Sequence, residues 1–237
     1  KAGSPSAPHG QMDTGSFVLD ADGVRWAVDL GAEGYHGIES RGMNLWSAAQ
    51  NSDRWTIFRQ SNAGHNTLVI DGQLQVAKGH APIIEFSDKP DFPHSITDLS
   101  AVYQGQAGQV RRGVALLPSR EVLIQDELNG LKTGQRVRWG MITPAEVVTQ
   151  AGATLHLRQR NQRLELTIVE PPGATWSIIN TEKPPHEWDS PNPGTRMVAV
   201  EVETPSSGEL RVIVLATPGS CDANSNKSPE VRPLSDW

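Results

Sequence analysis

The sequence predicts an all-β fold, a large antiparallel β-sandwich of the supersandwich kind with few or no helices. Three observations predict it. β-prone runs return at short intervals along the whole chain. Turn residues stand between them, with 22 Gly and 17 Pro among 237 residues. Helical periodicity is poor everywhere. Sandwiches of this length often form one domain, and neither proline-rich stretch reads as a linker, so residues 1–237 are expected to be a single domain.

The elements follow in order. Phe17-Val18-Leu19 and Val24 to Val28 flank Asp20-Ala21-Asp22-Gly23, an Asp/Gly turn that predicts a hairpin. Thr67 to Ile70 ends at Asp71-Gly72, another turn signal. Val110–Leu117 and Arg120–Leu128 read as a second hairpin around Pro118-Ser119. Arg163 to Ile168 alternates apolar and polar residues, as a strand with one wet face does. Val198, Val200 and Val202 alternate with Ala199 and Glu201. Leu210 to Leu215, apolar after one Arg, fits a strand buried on both faces. Met43 to Gln50 is the one stretch expected to form a couple of helical turns. The prolines between Pro184 and Gly194 predict a long loop, and residues 219–233 also read as loop.

Composition excludes several classes. The formal net charge is -6 and no basic stripe exists, so nucleic acid is not an expected partner. No apolar run approaches the ~20 residues needed to span a bilayer. Lys1 to Pro5 reads as loop and not as a signal peptide. The single cysteine, Cys221, excludes an intrachain disulfide framework and reads as a surface thiol.

Potential site residues concentrate in the first third. His9-Gly10-Gln11-Met12-Asp13 precedes the first strand, Asp29 ends the second, Tyr35 and His36 follow in a Gly-flanked loop, and Arg59 and His65 come next. His9 and Gln11 stand two apart and share a face if the backbone is extended. Asp29 and His65 sit at strand edges that can converge there. An Asp, a His and a third donor suit Zn²⁺ or a similar ion. Gln11 offers only a neutral amide oxygen, so a hydrogen-bonded Gln11-Asp29-His65 cluster is the metal-free alternative.

The string His9-Gly10-Gln11-Met12-Asp13-Thr14-Gly15-Ser16-Phe17 resembles the His-x-His-x-Asp-x-x-Ser-Phe start of the heparinase II/III-like domain. Asp29-Leu30-Gly31 with Tyr35, then Phe58-Arg59, then His65-Asn66-Thr67-Leu68-Val69-Ile70-Asp71-Gly72 follow in that family's order. Arg138 to Glu146 is also similar. The resemblance implies a C-terminal β-sandwich whose N-terminal α/α toroid lies outside this sequence. It implies cleavage of uronate polysaccharides by β-elimination in a cleft between the two domains, in a periplasmic or secreted bacterial protein. His9 corresponds to the catalytic imidazole. A structural zinc would be held at the positions of Gln11, Asp29 and His65. Gln11 departs from the family His there, which leaves weakened zinc, a harder ion or no metal as the outcomes.

The remaining candidates are read from their chemistry. Arg59 is expected to pair with a sugar carboxylate or sulfate, or else to make a structural ion pair, and Tyr35 to stack on or bond a sugar, or else to pack. Trp188 is a sugar platform or a core cover. Trp46, Trp55 and Phe58 are candidates for the face that meets the toroid. Expected partners are the acidic polysaccharide and the toroid, and a homodimer is compatible with the sequence. The competing readings are a carbohydrate-binding module without catalysis and a structural module of a secreted or surface protein.

Overall fold

The computed structural model describes residues 1–219 and 231–237, so Cys221 and most of the C-terminal loop lie outside the described residues. In chain order the strands are β1 (Leu19–Ala21), β2 (Val24–Ala27), β3 (Leu68–Ile70), β4 (Ile83–Ser87), β5 (His94–Asp98), β6 (Gln109–Leu116) and β7 (Val122–Asn129). They continue as β8 (Arg136–Thr143), β9 (Glu146–Ala151), β10 (Thr154–Gln159), β11 (Gln162–Glu170), β12 (Trp176–Asn180), β13 (Arg196–Glu203) and β14 (Leu210–Pro218). An eight-stranded sheet runs β4-β5-β6-β7-β14-β11-β10-β9, and a four-stranded sheet runs β12-β13-β8-β3. The hairpin β1-β2 forms a separate two-stranded sheet whose Leu19, Val24 and Trp26 join the same core.

One apolar layer joins the sheets. Leu68, Ile70, Val137, Trp139, Met141, Val198 and Val200 enter it from the small sheet. Val110, Ile124, Leu128, Leu164, Leu166, Val212 and Val214 enter from the large one. The period of two explains the choice, since alternate residues of each strand point into the layer. β11 shows it plainly: Leu164, Leu166 and Ile168 are buried between more exposed neighbours, as its sequence predicts. Trp139 meets Trp176 edge-on at 5.9 Å, and Phe17 lies 5.8 Å from the same indole.

β14 is buried on both faces over Val212–Ala216. Its second face has its own cover: Ile213 and Leu215 pack with Ala115 and Leu123 beneath Phe92, Val231 and Trp237. Both predicted hairpins form. Asp22 and Gly23 take positive φ of 52° and 72°, the left-handed pair that a two-residue hairpin turn requires. Asp71 and Gly72 do the same after β3, at 49° and 69°.

The predicted helix does not form at Met43–Gln50. The Asn44 side chain there accepts from the backbone N–H of Trp46 and Ser47, a local bond that competes with helical pairing. Among the described residues the one α-helix, α1, is Tyr35–Glu39, in the segment read as loop. Short 3-10 turns follow at Asp53–Thr56, Phe58–Gln60 and Asn62–Gly64. This irregular first third lies against the outer face of the small sheet. Val28 and Leu30 pack there on Ile142, Met197 and Ala199, and Arg138 donates to the Ala63 carbonyl at 3.1 Å.

Candidate functional site

The block His65-Asn66-Thr67 is a fastener. Asn66 Nδ2 donates to the carbonyls of Phe17 (2.8 Å) and Val28 (3.0 Å), while its Oδ1 accepts from the Ile142 N–H (2.6 Å). One amide thereby ties two loops to β8. The Thr67 hydroxyl donates to the Thr14 carbonyl at 2.7 Å. Beneath them Arg112 and Asp126, both buried, form a two-pronged pair at 2.7 and 2.8 Å. The remaining Arg112 nitrogen donates to the carbonyls of Gly15 and Asn66. Burial pushes the Asp126 carboxyl up, against the pull of Arg112. The large sheet thus reaches through its own core to hold the site loops.

The side chain of His65 is fully buried, and its Nδ1 stands 3.1 Å from Asp29 Oδ2. That hydrogen bond, more than any other contact, holds the Asp29 carboxyl down at about 2. The Gly31 N–H and the Lys1 charge assist, and partial burial opposes. Donor atoms of Asp13, Asp29 and His65 all lie within 4.8 Å of one another. His65 Nε2 is buried without a hydrogen-bond partner among the described residues. Two carboxylates and an imidazole form a donor set that Zn²⁺ accepts with water in the fourth position, and harder ions accept carboxylates too. The residues fit a cation. The Lys1 ammonium touches the same cluster, 2.5 Å from Asp13 Oδ2.

Beside this block lies an open cleft of about 360 Å³ lined by His9, Gln11, Tyr35, Trp46, Arg54 and Gln60, among others. That volume is at the small end of ligand pockets. His9 is exposed and holds a positive φ of 57°, followed by Gly10, whose Cβ position would lie 2.5 Å from the Pro5 carbonyl. Only glycine fits a turn that tight, and the turn sets where His9 stands. Tyr35 and Trp46 meet edge-on at 5.2 Å, 41% and 59% exposed. The Trp46 indole N–H donates to Glu39 Oε1 at 2.8 Å.

A family model described as heparinase II/III-like, C-terminal, matches residues 1–228. The chain belongs to the heparinase II/III-like C-terminal family. Solved structures share its fold. A heparan sulfate lyase HepC from Pedobacter heparinus is 16% identical with a TM-score of 0.69, over 97% of this chain and 33% of that one. A heparinase III, the BT4657 gene product, is 18% identical with a TM-score of 0.68, over 99% and 35%. Another heparinase III is 16% identical with a TM-score of 0.67, over 92% and 31%. The chain therefore spans about a third of the length of these structures. No curated protein matches it.

In this family member the expected site residues divide between two neighbouring places. His9, Gln11 and Tyr35 share the open cleft. His9 and Gln11 do so although the backbone at His9 is left-handed and not extended. Asp29 and His65 pair with each other, and no hydrogen bond among the described residues links Gln11 to them. The Gln11-Asp29-His65 cluster offered as the metal-free alternative does not form; the third donor near Asp29 and His65 is Asp13, within 4.8 Å. Sequence reasoning passed over that residue although it stands in the quoted motif, two positions after Gln11.

Arg59 donates to Asn192 Oδ1 (2.8 Å), the Ala32 carbonyl (3.0 Å) and the Pro191 carbonyl (3.2 Å), which clamps the proline-rich loop. Trp188 covers the apolar cluster of Ile38, Leu45 and Ile57. Trp55 is buried, with its N–H on the Ala49 carbonyl, so it does not belong to an open face, and Phe58 is half-buried. Of the three residues proposed for such a face, Trp46 alone is exposed.

Proposed function

We propose that the chain is the β-sandwich part of a polysaccharide lyase that cleaves uronic-acid polymers by β-elimination, together with an N-terminal toroid. The observation that carries this reading is His9: an exposed imidazole, set by a Gly10 turn at the edge of a cleft with Tyr35 and Trp46, in a chain of the heparinase II/III-like family. The solved structures of similar fold include proteins titled heparan sulfate lyase and heparinase III. A periplasmic or secreted location fits this reading. Among the described residues no helix is long and apolar enough to cross a membrane.

In β-elimination the C5 proton of a uronate leaves to a base, the C4–O bond breaks, and the departing oxygen takes a proton. The C5 carbanion is stabilised when the adjacent carboxylate is neutralised, which is the dominant electrostatic contribution. His9 serves as base or as carboxylate partner at the cleft edge. Tyr35 is positioned to touch the sugar. Asp13, Asp29 and His65 would hold a zinc or similar ion, whose chemistry is to lock the loop that carries His9. Arg59 acts on the substrate only through the loop it clamps.

The test is digestion of uronate polymers by the full-length protein, read as ultraviolet absorbance of the unsaturated product. Growth of that absorbance supports the lyase. Binding without it favours a carbohydrate-binding module, the reading that the exposed Tyr35–Trp46 pair also suits. Metal analysis of the wild type beside Asp29→Asn and Gln11→His variants tests the ion. Metal retained by the wild type and lost from Asp29→Asn supports the site; equal content in all three contradicts it.

A further inference from the structure

The geometry points to Arg54 and Trp46 as a built subsite for one uronate residue, with the guanidinium taking the carboxylate and the indole carrying the ring face. This rests on the uronate reading above and deepens it.

Arg54 lies on the wall of the cleft that His9 lines, and it is 9% exposed. Its Nη2 donates to the Gly10 carbonyl, while its Nε is buried with no partner among the described residues. No acidic side chain pairs with it among the described ion pairs. Trp55 lies 4.9 Å beneath the guanidinium carbon and fixes the plane of the group. The 3-10 turn that carries it is held by Ser52, whose hydroxyl accepts the Arg54 N–H at 3.3 Å. A guanidinium on the cleft wall, fixed by Trp55 and one carbonyl and with no acidic partner among the described residues, offers its charge to an anion from outside. A carboxylate satisfies a guanidinium with paired, charge-assisted hydrogen bonds.

Trp46 supplies the other half. A 59% exposed indole is costly in water, and Glu39 and Tyr35 hold it at the cleft rather than letting it fold down. An exposed indole face suits the C–H face of a pyranose. Arg59, by contrast, already has three acceptors within the protein. The Gly10 bond adds a consequence: the group that reads the carboxylate also touches the turn that sets His9, so the two are spatially coupled.

The experiment is calorimetric titration of the full-length protein with a glucuronate-containing hexasaccharide and with the same hexasaccharide after reduction of its carboxyls to alcohols. Arg54→Met is expected to weaken binding of the acidic hexasaccharide at least about tenfold, the size of a charge-assisted bond, and to leave the reduced one nearly unchanged. Trp46→Ala is expected to weaken both by similar factors. Arg54→Lys should recover part of the acidic preference. Melting curves verify folding, and Trp46→Ala, at an exposed position, retains the test if Arg54→Met unfolds. Unchanged acidic binding in Arg54→Met, equal loss of both ligands in it, unchanged binding in Trp46→Ala, or no hexasaccharide binding by the wild type overturns the subsite. The lyase reading fails separately: carboxyl-dependent binding through Arg54 without product absorbance keeps the subsite and removes the lyase.

Discussion

The fastened block around His65 and the open cleft around His9 are built from the same residue types and treat them in opposite ways. At His65 nearly every polar group has a partner inside the protein: Asn66 makes three hydrogen bonds, and Arg112 meets Asp126 and two carbonyls. At His9 polar side chains line an open cleft; buried nitrogens without a partner among the described residues occur on both sides, at Arg54 Nε and His65 Nε2. The difference teaches that the motif divides its work. Its later half holds the loops in place, and its first half presents side chains outward.

The largest expected effect breaks the fastened side. Asp126→Ala leaves the Arg112 charge buried alone and should cost about 3–5 kcal/mol of unfolding free energy. A paired Arg112→Met, Asp126→Leu variant should cost much less. Denaturant unfolding checks this; equal losses in the two variants would show that packing, and not an orphaned charge, dominates.

Next comes the ion. Zinc at a hundred times its dissociation constant should raise unfolding free energy by about 2.7 kcal/mol. Asp29→Asn should abolish the rise, and calorimetric melting with and without chelator reads both.

Acid sharpens the same side. Asp29 is depressed in the folded chain to about 2, below its ordinary value of 3.8. Its contribution to stability is therefore complete above roughly that ordinary value and is lost as pH falls toward the depressed one. Asp29→Asn should flatten this part of the pH–stability curve, measured by denaturant midpoints; an unchanged curve would detach Asp29 from the fastener.

The smallest effect belongs to the proline-rich loop. Arg59→Met removes bonds that are partly exposed and should cost about 1 kcal/mol. Limited proteolysis between Pro184 and Gly194 should speed up, while hexasaccharide binding weakens less than in Arg54→Met.

The fold was legible because strands announce themselves by a period of two and by turn chemistry, as β11 and the Asp22-Gly23 hairpin do. β4 was not read. Its Ile83, Ile84 and Phe86 are largely exposed, so no alternation marks it. The helix was misplaced because the Asn44 side chain offers the backbone a turn, a competition that an apolar-pattern search overlooks. At the site, the Asp29–His65 contact was readable through the family's motif order, whereas Gln11, expected beside that pair, stands in the cleft with His9 and Tyr35. Arg54 was not readable. Beside Trp55 it looks like any surface cation, and its burial depends on how Gly10 folds over it. Arg59 carried the stronger motif and makes the more ordinary structural bonds.

His9→Ala in the full-length protein, with turnover of a uronate polymer and melting temperature measured on the same preparation, tests the role of His9. The expected result is a turnover loss of about 10²- to 10⁴-fold, the usual worth of a positioned acid–base group, at an unchanged melting temperature. Undiminished turnover, or a loss matched by unfolding, contradicts it.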